Sequence, residues 1–288
     1  MRIDIGGGVR LFIDVEGAAL VPDGPRLREK PVMLLLHGGP GFDHASFKPV
    51  FSRLADRCQL VYVDHRGHGR SDPRPVSEWT LDTWADDVVR LCDALGVHKP
   101  IVLGQSFGGF VAQRYLARHP DHARGVVLSS TSPTMALPRK LAMFERLGGE
   151  RARALAEAFW SAPDAASFDA AWPPYLAEVM PLYNTRPAAD PQARARQITR
   201  LEILRHFVLH EQHAMDLRVG LDRAACPVLV LAGDEDPVCP VEDAADIAAA
   251  LPPALTRFVR IPDAGHGTWR DQPEAAFRVL EDFVDAVV

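Results

Sequence analysis

The chain has 288 residues, 32 Lys+Arg against 38 Asp+Glu for a net charge of −6, and 47% hydrophobic with 24% charged residues. This is the composition of a globular protein large enough to bury its own core, which excludes disorder and fibrous repeats. The acidic balance argues against gripping a nucleic-acid backbone, and no apolar run reaches the ~18 residues a membrane-spanning helix needs. Met1 to Gly6 lack the apolar core of a signal peptide. Cys58, Cys92, Cys226 and Cys239 are scattered without a CxxC pair, which points to free thiols, no zinc site and a cytoplasmic location.

In chain order, Arg10–Val15 follows Gly6-Gly7-Gly8 and reads as the second arm of a hairpin. Val32–Leu36 is a continuous apolar run ending in a Gly-rich turn, as expected of a strand buried on both faces. Leu60–Asp64 repeats the pattern before Arg66-Gly67-His68-Gly69. Leu81, Trp84, Val88, Leu91 and Leu95 recur at helical spacing behind Thr80, a plausible N-cap. Ile101–Leu103 and Val126–Leu128 are two more short buried strands, with a helix around Phe110–Arg118 between them. This alternation predicts a parallel sheet covered on both faces. From Pro133 to about Leu221 no buried-strand run appears, and the segment reads as several helices broken by prolines. Alternation resumes with Val228–Leu231, a helix over Glu242–Leu251, a strand at Arg257–Ile261 and a final helix from Glu274. The expected organisation is a core of residues 1–132 and 222–288, with residues 133–221 inserted as a helical lid.

Chemistry concentrates in four loops. Gly104-Gln105-Ser106-Phe107-Gly108 lies between a strand and a helix, where a Gly-x-Ser-x-Gly turn lifts the serine hydroxyl above the sheet edge. A serine needs a base to take its proton. His266, in the small-residue loop Asp263-Ala264-Gly265-His266-Gly267 after the last strand, is the candidate. The imidazole in turn needs an acid to fix its tautomer, and Gly233-Asp234-Glu235-Asp236 follows a buried strand upstream of it. Asp236 is preferred for its depth in the loop, and Asp234 is the alternative. Oxyanion donors are expected from the backbone N–H of Phe107 and from His37-Gly38-Gly39-Pro40-Gly41, with Gly39 the candidate there. That loop is not a phosphate cradle, since it lacks both a following Lys-Ser/Thr and Gly-x-Gly-x-x-Gly spacing.

These four elements, in the order oxyanion loop, serine, acid, histidine, resemble the α/β-hydrolase family over nearly the whole chain. His37–Gly41 and Asp64-His65-Arg66-Gly67-His68-Gly69-Arg70-Ser71 are similar to the proline iminopeptidase group of serine peptidases. So is the acid loop through Cys239-Pro240, which supports Asp236. The group's tryptophan after the nucleophile is Phe107 here, and its glutamine in the second motif is His65.

The resemblance implies an α/β fold with a mostly parallel sheet, and a Ser106–His266–Asp236 hydrolase that releases N-terminal residues, proline among them, from short peptides. It further implies lid glutamates that hold the substrate ammonium. Glu202 is the first candidate, Glu178 the second, and Glu211 is also available. A carboxylesterase or lactonase with the same triad is the alternative, and a non-catalytic binding protein on the same fold a third. The expected partner is a small molecule or short peptide, without nucleic acid, membrane, metal or organic cofactor. The lid holds 11 Lys+Arg against 10 Asp+Glu, so the chain's acidity lies in the core and lends no support to an ammonium site.

Overall fold

A computed structural model describes residues 1–187 and 189–288. Two short strands, β1 (Arg2–Asp4) and β2 (Arg10–Glu16), form the hairpin expected around the glycines, with Ile3 opposite Leu11. A second hairpin, β3 (Leu20–Asp23) with β4 (Arg26–Glu29), lies outside the main sheet. It has no buried residue, hence no apolar period by which to recognise it.

The main sheet continues with β5 (Val32–Leu36) and β6 (Gln59–Val63), then helix α1 (Leu81–Leu95), β7 (Ile101–Gln105), helix α2 (Phe107–Arg118) and β8 (Gly125–Ser129). Its eight described strands stand in the order β1-β2-β6-β5-β7-β8, closed by β9 (Val228–Gly233) and β10 (Thr256–Ile261). β2 runs antiparallel to β6, and every pairing from β6 to β10 is parallel. The central strands β7, β8 and β9 are buried at every position, because helices cover both faces.

Alternate side chains feed two separate cores, as the two-residue period of a strand requires. Leu34, Leu36, Val102, Val126, Leu128, Val228 and Val230 pack with α1 and α2. Met33, Leu35, Ile101, Leu103, Val127, Leu229 and Leu231 pack with Phe51, Trp269, Phe277 and Phe283 on the other face. Helix α1 follows its prediction closely. Thr80 Oγ1 accepts from Thr83 N at 3.1 Å, Leu81, Trp84, Val88 and Leu91 are buried, and Gly96 (φ 66°) ends it.

Between β8 and β9 no strand of the sheet occurs among the described residues. The segment holds α3 (Leu137–Trp160), broken at Gly149 (φ 72°), then α4 (Ala165–Pro174) and α5 (Leu201–Leu209). A bridge between Thr134 and Asp216, with Leu217 N donating to Pro133 O at 2.8 Å, clasps its base. It has its own core of Phe144, Phe159, Phe168, Tyr175 and Val208, which reaches Val238 and Cys239 in the loop after β9. The chain then forms α6 (Val241–Ala250), α7 (Thr268–Asp271) and α8 (Pro273–Val287). No helix among the described residues is long and apolar enough to cross a membrane.

Candidate active site

The turn between β7 and α2 is forced by contact. A Cβ on Gly104 would strike the Gly108 carbonyl, and one on Gly108 would strike the Leu36 carbonyl on β5. Only glycine lets helix and sheet come this close. Ser106, between them, is held at φ 54° and ψ −117°, a region an L-residue rarely enters. Its N donates to Ser129 O at 3.0 Å and its carbonyl accepts from Thr131 Oγ1 at 2.9 Å. The hydroxyl is thereby fixed at the C-terminal edge of the sheet, with α2 starting at the next residue.

His266 Nε2 lies 2.9 Å from Ser106 Oγ, and its Nδ1 lies 2.9 Å from Asp236 Oδ2. A carboxylate can only accept, so Nδ1 carries the proton and Nε2 is left to accept from the serine hydroxyl. Asp236 is fully buried, and its Oδ1 accepts from Val238 N at 2.8 Å and Cys239 N at 2.9 Å. Burial opposes charge on the imidazole, but the adjacent Asp236 carboxylate outweighs it and raises the His266 pKa above the ordinary value. The two competing acids point elsewhere: Asp234 pairs with Arg260 at 2.8 Å and Glu235 with Arg146 at 2.6 Å. Cys239 brings a third ligand-type atom, within 4.8 Å of those of Asp236 and His266. Both Asp236 oxygens and both ring nitrogens are hydrogen-bonded, an arrangement able to take a proton from the Ser106 hydroxyl.

The His266 loop is pinned from two sides. Its own N donates to Tyr183 O at 2.6 Å, and Gly265 N donates to the buried Asp271 carboxylate at 2.7 Å. Asp271 also accepts from Thr185 N and Arg186 N, tying the segment between β8 and β9 to the His266 loop.

Gly39 lines the same cavity as Ser106 and His266 and sits at φ 133°, open only to glycine. Phe107 opens α2, so its N–H belongs to the first-turn donors that have no partner within the helix. Gly39 thus borders the cavity, and Phe107 follows Ser106 directly in the chain. The Phe107 ring is packed edge-on by Trp84 at 5.1 Å and stacked by His68 at 5.6 Å.

His37, His65 and His68 form a buried group beneath this turn, with His37 4.4 Å from His65 and 5.3 Å from His68. His37 Nδ1 donates to Gly38 O at 2.7 Å, while its Nε2 accepts from His65 N at 3.2 Å. Burial drives all three imidazoles to the neutral form, His68 to a pKa of about 3. They are packing and positioning groups rather than bases.

Above Ser106 lies a cavity of about 150 Å³, walled by Phe159, Trp160, Trp172 and Tyr175. The same four aromatics also pack in the core of the segment between β8 and β9. No Asp or Glu lines it among the described residues. Glu178 is exposed and paired with Arg151 at 2.5 Å, and Glu202 is exposed on the outer face of α5. The ammonium site expected of these two glutamates is therefore not assembled. On α5 the buried positions are Ile203, Leu204, Phe207 and Val208, so Glu202 falls on the solvent side by helical phase alone. Glu211 does not reach the cavity either.

A sequence profile described as alpha/beta hydrolase fold matches residues 31–268. The chain belongs to the α/β-hydrolase family. Its relatives span several activities. It is 27% identical over 253 residues to the proline iminopeptidase PfmaB of Pestalotiopsis fici, covering 83% of this chain and 87% of that protein. It is 28% identical over 270 residues to a pimeloyl-acyl-carrier-protein methyl ester esterase of Chromobacterium violaceum, covering 90% and 96%. Among solved structures, the proline iminopeptidase of Mycobacterium smegmatis superposes with a TM-score of 0.72 at 20% identity, covering 100% of this chain and 98% of that one. At that identity the likeness speaks for the fold. The hydrolase resembles the proline iminopeptidase group, and esterases stand at similar identity.

Two cavity residues, Lys140 and Arg270, belong to no motif. One signal exists for the first. Lys140 occupies an apolar-stripe position of α3 with Leu137, Leu141 and Phe144, where a lysine is out of place unless it has work to do.

Proposed function

We propose that the protein is a serine hydrolase acting on small carboxylic esters or lactones. The observation that carries this reading is an aromatic cavity without a carboxylate, set directly over a buried Ser106–His266–Asp236 hydrogen-bonded line. Ser106 Oγ attacks the substrate carbonyl carbon while His266 Nε2 takes its proton. The oxyanion is met by the Gly39 and Phe107 N–H groups. The C–O bond breaks as His266 returns the proton to the leaving oxygen. A water then repeats the sequence on the acyl-enzyme, giving the acid and free Ser106. Asp236 holds the imidazole tautomer throughout. The segment from Pro133 to Leu221 acts as the lid that walls the cavity.

Aminopeptidase activity is the second reading, favoured by the relative from Pestalotiopsis fici. An N-terminal ammonium leaving water for the aromatic cavity needs a carboxylate partner, and Glu178 and Glu202 both face outward. The test compares p-nitrophenyl butyrate with L-proline p-nitroanilide. Ester turnover abolished by Ser106→Ala, with the anilide untouched, is the expected result. Preferential cleavage of the anilide would overturn the ester reading.

A further inference from the structure

Lys140 is 2% exposed, yet no carboxylate lies within ion-pair distance of it among the described residues. Its Nζ donates to the carbonyl of Val238 and stands 5.6 Å from the centroid of the Trp160 ring. An ammonium has three donors, so at least one remains for the cavity. The cations around it are treated differently: Arg139 pairs with Asp243, Arg146 with Glu235, Arg151 with Glu178 and Arg205 with Asp169. Buried charges in proteins are paired because desolvation otherwise costs too much. Lys140 is the exception, and it faces the space where substrate must lie. Arg270, from α7, lines the same cavity and likewise has no carboxylate partner among the described residues. It is exposed, so it stands where the cavity opens.

We infer that the cavity takes an anionic substrate, a short ester carrying a free carboxylate, with Lys140 as its buried charge partner and Arg270 as a second cation at the rim. The inference rests on the hydrolase reading and narrows its substrate class to half-esters of short dicarboxylic acids. A cavity of about 150 Å³ is the size that accommodates a benzene-sized group, which suits an acyl chain of four or five carbons. An entering carboxylate completes the donor set of Lys140. A neutral ester leaves that charge unpaired, and a substrate ammonium adds a like charge beside it.

The test has a turnover arm and a binding arm. The first compares kcat/KM for mono-p-nitrophenyl glutarate and p-nitrophenyl butyrate in wild type, Lys140→Met, Lys140→Arg and Arg270→Gln. A charged hydrogen bond of ~1.5–3 kcal/mol corresponds to a preference of about 10- to 150-fold for the glutarate ester. That preference collapses to within about threefold in Lys140→Met through KM, returns in part with Lys140→Arg, and is reduced in Arg270→Gln. The second arm measures glutarate and glutaramide binding to Ser106→Ala by calorimetry, which requires no turnover. Glutarate binding without turnover of either ester would sink the hydrolase reading and leave the anion site standing. Turnover of both esters at equal efficiency, with no preference of Ser106→Ala for glutarate over glutaramide, would overturn the anion site and spare the hydrolase. Should Lys140→Met fail to fold, the wild-type ratio and the Ser106→Ala binding data still decide.

Discussion

Asp236→Asn isolates the proton-transfer line, and its effect follows from the hydrogen bonds around one side chain. Asp236 Oδ1 accepts from Val238 N and Cys239 N at 2.8 and 2.9 Å, and Oδ2 faces His266 Nδ1 at 2.9 Å. Asparagine has one accepting oxygen and one donating amide. Two fixed backbone donors claim the oxygen, which turns the amide toward Nδ1. The imidazole then carries its proton on Nε2, facing Ser106 Oγ at 2.9 Å, where it cannot accept another. A wrong tautomer of this kind costs about 10⁴-fold in kcat, or ~5.4 kcal/mol of barrier. The pH profile carries a second reading. Burial lowers the His266 pKa and the Asp236 charge raises it more, so the acid limb of wild-type kcat/KM lies above pH 6.5. Without that charge burial, the largest influence, outweighs the smaller raising effect of Cys239, and the limb of the residual activity moves down in pH. The assay is steady-state hydrolysis of an activated ester between pH 5 and 10, with circular dichroism to establish that the variant folds. A folded variant within tenfold of wild type, or an acid limb that stays in place, would refute this account of the line.

Three further outcomes follow from groups around the site. Gly108→Ala drives a methyl into the Leu36 carbonyl. It should lower stability by about 3 kcal/mol, the upper end for overpacking, and displace Ser106, seen as lower Tm and lost ester turnover together. Arg66→Met leaves Asp87 buried without the guanidinium that meets it at 2.5 Å. Urea denaturation at neutral pH should show a loss of about 3–5 kcal/mol. The pH dependence of stability has a defined sign. His68 is neutral in the fold down to a pKa of about 3, because burial penalises its charged form, and it titrates near 6.5 when unfolded. Its stabilising contribution is therefore complete above pH 6.5 and drains away as pH falls toward 3, by about 2 kcal/mol at pH 5. His37 and His65 act in the same direction. Between pH 7.5 and 5, wild type should therefore lose about 2 kcal/mol more than His68→Phe in urea denaturation, and equal losses in the two would refute the assignment.

The strands, the serine turn and the histidine loop were legible from the chain alone because their determinants are local. A strand buried on both faces needs an unbroken apolar run, as in Val228–Leu231. A serine held above the sheet needs small residues on both sides, which Gly104 and Gly108 supply within five positions. The order of serine, acid and histidine followed from the same strand ends, and Asp236 was separated from Asp234 by loop depth and by the resemblance of the acid loop. The three-dimensional structure resolved that choice by placing one carboxylate against His266 and the other against Arg260.

What the sequence could not decide is the direction in which the inserted helices turn their side chains. Glu178 and Glu202 have the residue type that an ammonium site needs, but helical phase sends them to solvent. Lys140, Trp160 and Tyr175 are sent inward by the same rule, and Arg270 joins them from a helix 130 positions further on. The reaction chemistry is thus written in short motifs at strand ends, while the charge of the substrate pocket emerges only when distant helices pack over them. A motif fixes bond geometry over a few residues, whereas a pocket's sign is a sum over side chains that only tertiary packing brings together.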